Sequence, residues 1–122
     1  MTSEPTSGRH GLRAGQKLHT AAEFERARRS RIRHGDAFFV VHCANNEAGQ
    51  ARLGMAVGVR AIGGAVARNR LRRLIRESFR MHRQELPAVD VFVTALAPAR
   101  AAGNREIFAS LRSLWQQIRT AQ

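Results

Sequence analysis

The chain has 122 residues, of which 43% are hydrophobic, so it can form one domain with a modest core. Its 21 lysines and arginines against 9 acidic residues give a formal net charge of +12, which attracts polyanions such as RNA. The single cysteine, Cys43, excludes an intramolecular disulfide framework and is expected to fill the core. No stretch approaches the roughly 20 apolar residues of a membrane span, and no signal-peptide core opens the chain, so we expect a cytoplasmic protein with no membrane partner.

The N-terminal part divides into a leader and a helix. Residues 1–16 are rich in Ser, Thr, Gly and Pro and predict a disordered leader, which leaves residues 17–122 as a single domain. Thr20 and Glu23 have the spacing of a capping box and predict the start of a helix. The basic run up to Arg33 is included in that helix.

Three strands and two more helices are predicted after it. Composition and periodicity place strands at 37–43, 53–59 and 89–94, a loop at 61–65, and helices at 66–84 and from Asn104 onward, with Asn104 as the helix cap. One face of the second strand carries only Gly54, Ala56 and Gly58, which leaves room there for a helix or a ligand. The order of helix, strands, helix, strand, helix predicts an α+β fold with a helix layer on a sheet.

The predicted helix 66–84 has two opposed faces when it is drawn at roughly 100° per residue. The apolar face contains Leu71, Leu74, Ile75, Ser78 and Phe79. The opposite sector, which we call the Arg ridge, contains Asn69, Arg72, Arg73, Arg76, Arg80 and Arg83. A solvated surface normally mixes both signs of charge, and the ridge is nearly all arginine, so it predicts contact with a polyanion rather than a merely solvated face.

Residues 65–80, with Arg68-Asn69-Arg70 among them, closely resemble the Arg-Asn-Arg motif of the bacterial ribonuclease P protein component. The resemblance extends in order and spacing over residues 17–118 and includes the strands around Gly54 and Val91. It implies a two-layer α/β sandwich whose Arg-rich helix lies in a left-handed crossover between parallel strands, in place of the usual right-handed one. It also implies a subunit that binds a catalytic RNA and helps it to cut the 5′ leader from precursor tRNA.

The resemblance also implies the binding residues. Those expected to contact the RNA subunit are Arg68, Asn69, Arg70, Arg72, Arg73 and Arg76, together with Arg80 of the ridge and Arg60. Those expected at a cleft for the single-stranded leader are Phe24, Phe39, Arg28 and His42. Aromatic rings beside cations suit single-stranded RNA, which they bind by stacking and phosphate neutralisation. Core packing is the favoured alternative for Phe39, and both interpretations stay open for Phe24.

The chain departs from the family pattern at four of these places. Val59-Arg60 stands where a Lys-Lys pair is common, and Gly64 stands where an asparagine is usual. Arg28 replaces a second helix aromatic, and His42 replaces a strand tyrosine. These departures concern the details of leader recognition more than the fold or the RNA partner.

No catalytic or metal-binding residue is predicted in the chain itself. The histidines lack close metal-ligand spacing, and the two aspartates, Asp36 and Asp90, do not form a recognisable cluster. The chemistry is therefore expected to lie in the RNA partner, with magnesium held mainly by that RNA and no cofactor in the protein. An arginine ridge without base-reading Gln or Ser disfavours DNA as a partner, and a structural, ribosomal-type RNA-binding protein remains the alternative.

Overall fold

The computed structural model describes residues 16–17, 21–29 and 32–121. The helices are α1 (Ala21–Arg28), α2 (Val59–Ile62), α3 (Ala65–His82) and α4 (Asn104–Ala121). The strands are β1 (Ile32–Gly35), β2 (Phe39–Asn45), β3 (Arg52–Ala56) and β4 (Val89–Ala95). Two 3-10 helices, Arg83–Glu85 and Ala97–Arg100, follow α3 and β4.

The four strands form one mixed sheet in the order β1-β2-β4-β3. Strands β1 and β2, and likewise β2 and β4, pair antiparallel, whereas β3 pairs parallel with β4. A parallel pair needs a crossover connection, and here it contains α2, α3 and the first 3-10 helix. The helix that carries the Arg ridge is therefore tied at both ends to neighbouring strands, while the left hand of the crossover stays a prediction.

The main core lies between one face of the sheet and helices α3 and α4. Alternate residues of β2, namely Phe39, Val41 and Cys43, are fully buried in it. The buried residues of α3 are Leu71, Leu74, Ile75, Ser78 and Phe79, as the helical wheel predicted. The buried residues of α4 are Ile107, Ser110, Leu111, Leu114, Trp115 and Ile118. One face of α3 is thus fixed in the core and its opposite face is free to carry charge.

A polar pair inside this core joins α3 to α4. The indole Nε1–H of Trp115 donates a hydrogen bond of 2.9 Å to Oγ of Ser78, and both side chains are buried. The Trp115 ring also meets the Phe79 ring edge to face, with 5.7 Å between the ring centroids. The serine within the apolar face of α3 therefore supplies the acceptor that the buried indole needs.

Helix α1 lies on the other face of the sheet. Ala27 is fully buried there against Phe92 and Ala56. Gly54 pairs with Phe92 in the register of β3 and β4 and is buried as well. The prediction that the small residues of β3 make room for a helix is confirmed.

Several predicted boundaries were wrong. Residues 32–35 form the edge strand β1 rather than the end of a helix, because edge strands accept charged side chains and pair through their backbones. The strand predicted to reach Val59 ends at Ala56. Val59 instead begins α2, and 64% of its surface is exposed. Asn104 is the first residue of α4, and its side chain accepts hydrogen bonds from Arg70 instead of capping the helix.

The N-terminal predictions fall mostly outside the described residues. Residues 1–15 and the cap at Thr20 lie outside them. Gln16, which the sequence assigned to the leader, is buried, and Lys17 forms an isolated parallel bridge with Leu53. Within the described residues, the chain therefore meets β3 at Lys17, directly after the buried Gln16.

Replacing Ser78 by alanine should lower the free energy of unfolding by about 1–3 kcal/mol, because the buried indole N–H of Trp115 would lose its acceptor. Urea denaturation would measure the change. Ser113→Ala, at an exposed position of α4, is the control, since it gains the same helix propensity without removing a buried acceptor. Equal stabilities of the two variants would contradict the assignment.

Candidate nucleic-acid interface

The Arg ridge runs along the exposed side of α3 into the following 3-10 helix. Asn69, Arg73 and Arg80 are exposed, and Arg72 and Arg76 are half-buried. Nη1 of Arg72 donates 3.1 Å to Oδ1 of Asn69, so the asparagine orients a ridge guanidinium. Burial and the neighbouring charge of Arg72 lower the pKa of Arg76. The ridge therefore concentrates positive charge that a bound polyanion would relieve.

The two arginines of the Arg-Asn-Arg motif point away from the ridge. Nε of Arg68 donates 2.9 Å to the carbonyl of Gly63, at the end of α2. The Arg70 guanidinium donates to Oδ1 of Asn104 at 3.0 and 2.8 Å and to the carbonyl of Ala102 at 2.6 Å. These contacts tie the first turn and a half of α3 to the α2–α3 connection and to the start of α4. Sequence reasoning missed this second role, although the helical wheel already left both arginines outside the ridge sector.

The connection between α2 and α3 turns at Gly63, whose φ of +106° favours glycine. A β-carbon at Gly63 would stand 3.5 Å from the guanidinium carbon of Arg100, so that guanidinium packs directly over the glycine. Arg60 is exposed on the adjoining α2. Gly63 thus sits between two arginines from different elements, since Arg100 packs over it and Arg68 donates to its carbonyl.

The predicted leader-cleft residues of β2 lie on opposite faces of the sheet. Phe39 is fully buried in the main core beneath α3 and α4 and exposes no ring face to a base, so it is not carried forward as a leader contact. His42, three residues later, lies on the face that α1 covers and is half-buried. Burial and the charge of Arg33, its partner across the β1–β2 ladder, lower the pKa of His42. A neutral imidazole at this position offers a ring and polar atoms rather than a charge.

A groove of about 640 Å³ lies between α1 and the end of β2. Its lining residues are Ala22, Glu25, Arg26, Arg29 and Ala44. Phe24 and Arg28 belong to α1 by their backbones, and their side chains lie outside the described part of the structure. The structure therefore brings His42 and α1 to the same face of the sheet.

A buried charge cluster joins α1 to the sheet, and sequence reasoning missed it. Asp90 of β4 is fully buried and accepts hydrogen bonds from Arg52, Arg26 and Asn46. The hydrogen bond to Asp90 raises the pKa of the Arg52 guanidinium. An aspartate between the two buried valines of a strand was the signal that could have revealed the cluster.

The acidic side chains of the described residues do not assemble into a metal site. No group of three or more His, Cys, Asp or Glu side chains that could hold a metal ion occurs among residues 16–17, 21–29 and 32–121. Asp90 accepts from arginines, and Asp36 accepts from the Phe38 and Phe39 amides and from the Ser110 hydroxyl. Both aspartates are therefore committed to donors within the fold.

Arg70→Ala should lower the free energy of unfolding by about 1 kcal/mol, because the half-buried guanidinium makes three hydrogen bonds that hold α3 to the start of α4. Arg73→Ala, which removes an exposed ridge arginine three residues later, should stay within about 0.5 kcal/mol of the unchanged protein. Urea denaturation of the two variants would compare them. A larger loss for Arg73→Ala would contradict the structural role of Arg70.

Comparison with known proteins places this arrangement in a family. The sequence profile described as Ribonuclease P matches residues 12–119. The ribonuclease P protein component of Coxiella burnetii is 34% identical over 108 residues, which are 88% of this chain and 89% of that protein. The corresponding component of Vibrio parahaemolyticus is 37% identical over 102 residues, which are 84% of this chain and 86% of that protein.

A solved structure agrees with the sequence comparisons. The RNase P protein of Staphylococcus aureus superposes with a TM-score of 0.77 at 31% identity, covering 84% of this chain and 94% of that one. The matched region contains all four strands, the Arg ridge and the Arg-Asn-Arg motif. The chain belongs to the ribonuclease P protein family.

Proposed function

We propose that this chain is the protein subunit of ribonuclease P, which binds the catalytic RNA and assists removal of the 5′ leader from precursor tRNA. The Arg ridge of α3 is the observation that carries the proposal, because it presents arginines on the surface of a helix whose other face is fixed in the core. The family of the chain supplies the identity of the RNA.

The ridge would bind the RNA subunit through its phosphates. Guanidinium groups bind phosphate oxygens bidentately, and each neutralised phosphate releases condensed counterions. The proposed contacts are Asn69, Arg72, Arg73, Arg76 and Arg80 on α3 and Arg60 on α2. We retain Arg68 and Arg70 in this set. Neither uses all of its donors among the described residues, since Arg68 donates there from Nε to Gly63, and Arg70 donates from Nε and one terminal nitrogen.

The single-stranded leader would lie on the opposite face of the sheet, where α1 and His42 meet. We propose Phe24, Arg28 and His42 as its contacts. A half-buried, neutral imidazole can lie against a base, and the neighbouring Arg33 supplies a positive charge for the backbone phosphates. The RNA subunit and the leader would thereby occupy opposite sides of one domain.

The hydrolytic chemistry would belong to the RNA. We propose that magnesium is held by the RNA subunit and that the protein lowers electrostatic repulsion between that RNA and its substrate. The aspartates support this division of labour, because their carboxylates already accept hydrogen bonds within the fold. No helix among the described residues is long and apolar enough to cross a membrane, and we propose that the subunit acts in the cytoplasm.

Adding this protein to bacterial ribonuclease P RNA should strongly stimulate cleavage of a 5′-extended precursor tRNA at low magnesium concentration. The protein alone should not cleave, because the chemistry is assigned to the RNA. The measurement is the rate of appearance of mature 5′ ends with and without the protein. Tight RNA binding without stimulation would instead indicate a structural RNA-binding protein.

Arg72→Ala combined with Arg76→Ala should weaken binding to the RNA subunit and flatten its salt dependence. The slope of log K against log salt should fall by about 0.7–0.9 for each phosphate contact that is lost. Arg112→Ala combined with Arg119→Ala removes the same charge from exposed positions of α4 and is the control. Equal slopes for the two double variants would mean that the ridge is only a solvated face.

A further inference from the structure

The carboxylate of Asp90 is the meeting point of three elements of the fold. Arg52 of β3 donates to both of its oxygens, from Nε at 2.8 Å and from Nη2 at 3.0 Å. Asn46, just after β2, donates 2.7 Å to Oδ1. Arg26 of α1 donates 3.1 Å to Oδ2, and its Nη1 donates 3.1 Å to the carbonyl of Asn45. None of the surface of the Asp90 side chain is exposed.

A second contact ties α1 to the same cluster. Nη1 of Arg52 lies 3.1 Å from Oε2 of Glu23, so Arg52 bridges a carboxylate of the helix and a carboxylate of the sheet. The two α1 side chains that reach the cluster, Glu23 and Arg26, are three residues apart and therefore project from the same side of the helix. The helix is thus tied to the sheet by one acidic and one basic side chain.

The described side chains of α1 supply little apolar packing. The helix has eight residues, a length at which an isolated helix is not stable in water. Among its side chains that the structure describes, only Ala27 is fully buried, and alanine contributes little apolar surface. Among the described side chains, directional contacts therefore position α1 over the sheet, namely those of Arg26 and Glu23 with the Asp90 cluster.

We propose that Asp90 is a positioning residue, which holds α1 through Arg26 and thereby fixes the orientation of the helix that carries the proposed leader contacts Phe24 and Arg28. This inference rests on the proposed function. The guanidinium of Arg26 is held by the Asp90 carboxylate and by the Asn45 carbonyl. Charge-assisted hydrogen bonds of a guanidinium are directional and fix the geometry of the groups they join, and the arrangement fixed here is the orientation of α1.

The chain contains matched variants that separate positioning from charge. Arg26→Ala and Arg29→Ala each remove one positive charge from the α1 segment, but Arg26 donates to Asp90 whereas Arg29 pairs with Glu25. Arg26→Lys keeps the charge, and its single ammonium cannot reproduce both contacts of the guanidinium fork. Arg26 is 53% exposed, so these changes should leave the fold intact.

The test uses the holoenzyme reconstituted with bacterial ribonuclease P RNA and two precursor tRNAs, one with a long leader and one with a single leader nucleotide. Arg26→Ala should raise KM for the long-leader substrate about two- to tenfold relative to Arg29→Ala. It should leave kcat, the short-leader KM and the affinity for the RNA subunit unchanged. Arg26→Lys should give an intermediate KM.

The aspartates provide a second comparison of the same kind. Asp90→Asn should shift the long-leader KM in the same direction as Arg26→Ala. Asp36→Asn weakens a carboxylate that joins the β1–β2 turn to Ser110 of α4, on the other face of the sheet, and should reduce stability without a leader-specific effect. A leader-specific shift in Asp36→Asn as large as that in Asp90→Asn would overturn the inference.

The outcomes distinguish this inference from the proposed function. Equal long-leader KM values for Arg26→Ala and Arg29→Ala, in an enzyme that prefers the long leader, would overturn the positioning role alone. Wild-type stimulation without any leader preference would overturn the proposed leader contacts and the positioning role together. A failure of the wild-type protein to stimulate the RNA would overturn the proposed function itself.

Discussion

Burial of one face of α3 is the constraint on which the rest of the molecule depends. The ridge places arginines four residues apart on a helix, and such neighbours repel one another. That repulsion is outweighed because Leu71, Ile75 and Phe79 are fully buried against the sheet and α4. The tie from Arg70 to Asn104 fixes the direction in which the helix starts. The proposed RNA-binding surface therefore lies on a helix that the core already holds in place, and it would not have to be ordered when RNA binds.

The two faces of the sheet are built by different physical means. The α3–α4 face is held by large apolar side chains, with the Trp115–Ser78 pair as an internal polar contact. Among the described residues, the α1 face is held by the packing of Ala27 on Phe92 and Ala56 and by the charge cluster at Asp90. This division suits the two proposed ligands, because a structured RNA needs a fixed array of charge whereas a single strand is bound by stacking and phosphate neutralisation.

The features that could be predicted from the sequence were those in which buried residues recur with the period of a helix or a strand. The apolar face of α3 and the small-residue face of β3 were both predicted, because each is a repeat along one element. The ridge followed from the same helical wheel. Strand β1 escaped prediction because an edge strand pairs through its backbone and leaves its side chains exposed.

Contacts between distant positions could not be predicted in the same way. Two partners of Asp90, Arg26 and Arg52, are separated from it by 64 and 38 residues along the chain.

The order of the strands along the chain also affects how the protein folds. Strand β3 can pair with β4 only after α2 and α3 have been traversed, and closing so long a loop slows folding. On the ribosome, β4 also emerges after the ridge, so the most highly charged segment exists before its sheet is complete. The nascent chain therefore passes through a stage in which a basic helix is present without the strand that finishes its core.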